Sequence, residues 1–159
     1  MTDFAFPSVV GANLAGRYYR LPVDLEGSLN LLGLVYLIDQ QTEMDSWTPT
    51  LARFEAEFPG FRYYELPTLG PYPAWQRQYI DDGMRAGIPD PVTRARTITL
   101  YLDVAALNRT LGIETMRMAQ YLLVNRAGQV LWRGSGSYTW AQGQGLLDVL
   151  DTVMVRTVR

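Results

Sequence analysis

The longest apolar run covers residues 31–38, within a strand read over residues 29–38, and its Leu31, Leu32, Leu34, Val35, Tyr36, Leu37 and Ile38 are interrupted only by Gly33. A segment apolar on both faces fits a central strand covered from each side. Two more β-type runs follow, residues 61–66, ended by Pro67, and residues 97–102, rich in β-branched side chains. Residues 120–125 and 129–132 flank Arg126, Ala127 and Gly128 and read as a hairpin. Near the start, residues 16–21 fit a short edge strand with residues 23–27 as its return. Residues 1–15 read as an irregular lead-in broken by Pro7 and Gly11.

Helical spacing falls between these runs. Residues 39–46 are polar and read as a loop; Leu51, Phe54 and Phe58 then share one face. Thr48 suits the cap of that helix, with Ser46 as the alternative, and Pro49 suits its first position. Trp75, Tyr79, Ile80 and Met84 make a second helical stripe that closes near Gly87. Asp103 suits the cap of a short helix through Leu107 and Leu111, with Gly112 just beyond it. Thr139 and Gln142 have capping-box spacing for a last helix that buries Leu146, Leu150, Val153 and Met154. The order is a hairpin and then β-α-β-α-β-α-β-β-α. It predicts one α/β domain over residues 1–159, a three-layer sandwich with a mixed sheet between helices.

Composition narrows the chemistry. The chain has no Cys and no His, and its 14 basic residues are all Arg. Thiolate nucleophiles, disulfide exchange and thiolate-held metals are excluded, and so is Schiff-base chemistry. The usual general base near neutral pH is missing too. A formal charge of −2 argues against a nucleic-acid partner. The start is acidic and the longest apolar run is too short to span a bilayer, so a cytoplasmic protein without a membrane span is expected.

The element order is similar to that of the thioredoxin-like superfamily in its peroxiredoxin-type version. Residues 34–38, a polar loop and the helix from Pro49 resemble its strand, active-site loop and first helix. Leu102 and Asp103, then Leu111, Gly112 and Ile113, resemble its strand-end aspartate and later glycine-hydrophobic pair. Residues 121–130 resemble its hairpin, with Asn125 in place of a more usual Asp. Shorter segments resemble the assembly factors of mitochondrial ATP synthase: Phe6 and Pro7, residues 44–47, and residues 131–136. The resemblance implies an attacking cysteine within residues 39–48 and a cis-proline within residues 115–119; the sequence has neither. It therefore implies a redox-inactive binding or assembly module, with thiol-disulfide oxidoreductase and peroxidase activity excluded.

Four residues are candidates for binding a protein partner. Met44 and Asp45 stand in the polar loop and Trp47 at the start of the first long helix, and Trp is enriched at binding hot spots. Arg117 stands before the hairpin; in peroxiredoxin-type relatives an Arg near there stabilises the thiolate. No cofactor and no resident metal are expected. The alternative is a hydrolase that uses Asp39, Glu43 and Asp45, alone or with Mg²⁺ or Ca²⁺, at the carboxyl end of a central strand. Self-association through the edge at Arg17 and Arg20 is a further expectation.

Overall fold

A computed structural model describes residues 4–156. Its centre is β3 (Leu29–Val35), all seven residues of which are buried. It pairs in parallel with β4 (Phe61–Leu69) and antiparallel with β6 (Gln120–Asn125), which turns back into β7 (Val130–Ser135). Beyond β4 lie β5 (Ile98–Tyr101), then β1 (Val9–Asn13) and β2 (Tyr18–Leu21), so the seven-stranded order is β2-β1-β5-β4-β3-β6-β7.

Alternation along β3 divides the core. Leu32 and Leu34 face a cluster with Tyr64, Leu66, Leu100 and Leu122, covered by Leu107 and Leu111 of α4 (Val104–Leu111). Leu29, Leu31 and Val35 face the opposite cluster, built from α1 (Gln41–Glu57) and α5 (Trp140–Val153). At Gly33 a Cβ would collide with the Met44 sulfur, so glycine here lets α1 sit close to the sheet.

Three expectations need correction. The irregular lead-in of residues 1–15 contains β1, and the hairpin is β1–β2 rather than a return over residues 23–27. Gly11 is not a breaker: a Cβ there would stand 2.8 Å from the Thr99 carbonyl oxygen, so its smallness permits the approach of β5. Asn13 Oδ1 fixes the turn by accepting the N–H groups of Ala15 and Arg17 at 3.0 and 2.8 Å. In place of the expected return, Asp24 folds back on the free edge of β2. Its carboxylate accepts the Arg20 N–H at 2.7 Å, and its own N–H donates to the Arg20 carbonyl at 2.8 Å. Those two edge groups are thereby closed to another strand.

The second correction is α1, which starts at Gln41 and carries Pro49 in its interior. An interior proline costs about 3 kcal/mol. Burial of Met44, Trp47, Leu51 and Phe54 outweighs it, at about 1.5–3 kcal/mol each. Third, β4 runs two residues beyond Pro67. The next helix, α2 (Ala74–Gly87), buries none of its residues. The short α3 (Pro91–Arg96) follows, capped by Asp90. Two of the caps read in the sequence are present, whereas Thr48 and Ser46 lie inside α1: Asp103 accepts the Ala106 N–H at 3.0 Å, and Thr139 the Gln142 N–H at 3.2 Å. Gly112 closes α4 at φ 68°. Leu146 and Leu150 of α5 are buried, whereas Val153 is exposed.

Candidate functional site

The parallel strands β3, β4 and β5 deliver their carboxyl ends to one edge of the molecule. Ligands of open α/β sheets bind at that edge. Here residues 36–40 lead from β3 through one turn of 3₁₀ helix (Ile38–Gln40) into α1, and residues 114–119 lead into β6.

One buried side chain ties these two segments together. Gln40 is 1% exposed. Its Oε1 accepts the N–H of Tyr36 at 2.8 Å and that of Leu37 at 3.3 Å, and its Nε2 donates to the Met116 carbonyl at 2.7 Å. A second tie comes from Glu43, whose Oε1 accepts the Ala119 N–H at 2.8 Å. Charge-assisted bonds of this kind are roughly twice as strong as neutral ones. Tyr36 adds a third anchor by donating its hydroxyl to Asn108 Oδ1 at 3.0 Å; burial pushes that phenol far above its ordinary pKa. Polar side chains of the chain itself thus occupy backbone groups of the 114–119 segment.

The four expected binding residues separate into two pairs. Met44 and Trp47 are core. Trp47 is 0% exposed, packs against Tyr121, Trp132 and Tyr138 at centroid distances of 5.0–5.9 Å, and donates Nε1–H to the Gly136 carbonyl at 3.2 Å. Its ring lies inward because the helix begins two turns earlier than the capping signals imply. Asp45 and Arg117 are exposed. The hydrophobic residues that do face solvent are Leu37, Ile38, Met116 and Met118, with Ile38 96% exposed. They escape a sequence reading because Leu37 and Ile38 look like the end of the buried strand.

The carboxylates do not assemble a cation site. Glu43 is committed to Ala119, and Asp45 accepts from Gln41 Nε2 at 3.0 Å. Among the described residues no group of three acidic side chains is placed to hold a metal ion, Asp39, Glu43 and Asp45 included. Gln41 Nε2 also donates to Glu65 Oε1 at 2.9 Å. Burial raises the Glu65 pKa, the Gln41 hydrogen bond opposes that, and the Asp45 charge adds to it. Nearby, the Tyr121 hydroxyl is buried without a partner, and burial, then Glu43 and Glu65, push its pKa upward.

A mixed sheet between helices, with a loop-and-helix unit at the strand ends, defines an α/β sandwich with one composite edge. No family model matches the chain, and no curated protein matches it. Solved structures do. A thiol:disulfide interchange protein from Bacteroides sp. superposes with a TM-score of 0.61 at 17% identity, covering 96% of this chain and 90% of that one. The exposed lipoprotein thioredoxin of Streptococcus pneumoniae gives 0.60 at 14%, covering 92% and 100%. A member of the Sco family of cytochrome c oxidase assembly proteins gives 0.59 at 14%, covering 94% and 93%. The fold is thioredoxin-like, carried by a chain without cysteine. The likeness to ATP synthase assembly factors finds no support in these matches. No helix among the described residues is long and apolar enough to cross a membrane.

Proposed function

We propose that this protein is a redox-inactive thioredoxin-like binding module that docks a protein partner at the carboxyl edge of its sheet. The observation that carries the reading is the tie made by Gln40. In the place where the thioredoxin-like resemblance implies a thiol, this chain has a buried amide bonded to residues 36, 37 and 116. An edge without sulfur has no thiol chemistry to perform, but one tied by these hydrogen bonds presents its surface with less loop ordering left to do on binding. That surface combines Ile38, Leu37, Met116 and Met118 with the charges of Asp45 and Arg117. A small apolar centre with charged neighbours is the anatomy of a protein interface.

The test is site-specific photo-crosslinking in the cells that make the protein. A photoreactive residue at Ile38 is compared with one at Asp148 on the exposed side of α5. The reading expects one discrete adduct from position 38 and none from position 148. No adduct at 38, or equal adducts at both, contradicts it.

A further inference from the structure

α2 breaks the burial rule that α1, α4 and α5 obey. Trp75 is 73% exposed and Tyr79 78% exposed, and none of the fourteen residues of the helix is buried. Polar contacts hold it instead. Asp81 accepts the Tyr101 hydroxyl at 2.5 Å, and Arg85 Nε donates to the Leu14 carbonyl at 2.9 Å. The helix is therefore fastened through its polar side, and its large aromatic residues point to water.

Positions 75, 79, 82 and 86 recur at steps of four, three and four, so they form one stripe. One end of that stripe is bulky, with Trp75 and Tyr79. The other end is small: it finishes at Ala86, and the neighbouring Gly83 has open space around its Cβ position. The only charge on the stripe is Asp82, which Arg85 pairs at 2.9 Å.

We propose that this stripe is the contact between two copies of the chain, packed α2 against α2, antiparallel, about a two-fold axis between Ile80 and Asp81. That register sets Trp75 of one copy against Ala86 of the other, and Tyr79 against Asp82. Each bulky ring meets the small end, and each phenol donor meets a carboxylate acceptor, twice by symmetry. This match of the stripe to itself selects a second copy rather than an unrelated chain. A formal charge of −2 adds little repulsion between copies. Two exposed rings per copy make a small contact, at the low end of specific interfaces, so the dimer is weak. The β2 edge is the poorer route, because Asp24 already occupies the Arg20 groups there. The proposal stands independently of the docking edge at Ile38.

Sedimentation velocity from about 1 µM to about 1 mM reads the equilibrium directly. The wild-type chain should pass from monomer to dimer over that range. Trp75→Ala should weaken the dimer at least about tenfold. Ala86→Phe adds apolar surface but fills the small end, so it should also abolish dimerisation, whereas non-specific stickiness would increase. Both variants should keep the wild-type melting curve, since neither site is buried. A nitroxide on Gly87→Cys, then the chain's only thiol, reports the orientation: the antiparallel pair places the two label sites about 20 Å apart along the helix axis. A wild-type chain that stays monomeric throughout, an Ala86→Phe chain that dimerises as well as wild type, or labels lying side by side would overturn the proposal.

Discussion

Replacing Gln40 by Ala tests the tie at the sheet edge. The substitution removes the acceptor for the Tyr36 and Leu37 N–H groups and the donor to the Met116 carbonyl. The Tyr36 N–H bond is fully buried, so that donor is stranded rather than returned to water. A stranded buried polar group costs about 1–3 kcal/mol, and a lost net hydrogen bond about 1 kcal/mol more. A total of about 3 kcal/mol lowers the melting midpoint of a chain this size by roughly 6–12 °C. Urea unfolding measures the change, with the m-value unchanged if the native surface is preserved. Gln40→Glu adds a pH signature. An ionised carboxylate has no proton for the Met116 carbonyl, whereas a protonated one does. Burial and the Met116 carbonyl raise the folded-state pKa of that Glu against the pull of the Tyr36 and Leu37 N–H groups, so its stability contribution is present below the unfolded pKa and is lost as pH rises through the folded value. The variant should match wild type near pH 4 and fall below it at pH 7. A Gln40→Ala cost under about 0.5 kcal/mol, or a Gln40→Glu deficit that does not change with pH, would refute the tie.

Other expectations follow from the same contacts. Trp47→Ala should cost about 3–5 kcal/mol in urea unfolding, as a core truncation does; a loss under about 1 kcal/mol would return the ring to the surface. Glu65→Gln should raise the melting midpoint at pH 7 but not at pH 4. The Glu65 pKa is raised in the folded state, so its stabilising contribution is lost as pH rises and the charge forms at a half-buried position. A midpoint lowered at pH 7 would count against that sign. Asp103→Ala should cost about 1 kcal/mol through loss of the α4 cap, read by the same unfolding curve.

Features carried by neighbours in the chain were readable in the sequence. The apolar run of β3, the β6–β7 hairpin, the Asp103 cap and the Gly112 stop each depend on a few adjacent residues. Features that depend on distant partners were not. Gln40 meets Met116 across 76 positions, and no local pattern marks a loop glutamine as buried. The start of α1 was hidden for a related reason: Gln40 and Glu43 are polar, yet their bonds to the 114–119 segment hold this end of the helix to the core. Gly11 looked like a breaker because sequence does not reveal which strand approaches it. Periodicity correctly marked Trp75 and Tyr79 as sharing a face of α2, but period says only that a face is apolar, not what covers it. Trp47 looked like an anchor only because the helix was expected to begin beside it.

The docking edge is tested most directly by the affinity of the partner that crosslinks to position 38. Calorimetric titration with wild type and with the Ile38→Asp, Met116→Asp double variant measures it, alongside a melting curve for each. The account predicts at least about a tenfold loss of affinity with the midpoint preserved, since both residues are exposed. Unchanged affinity in a folded double variant would contradict it.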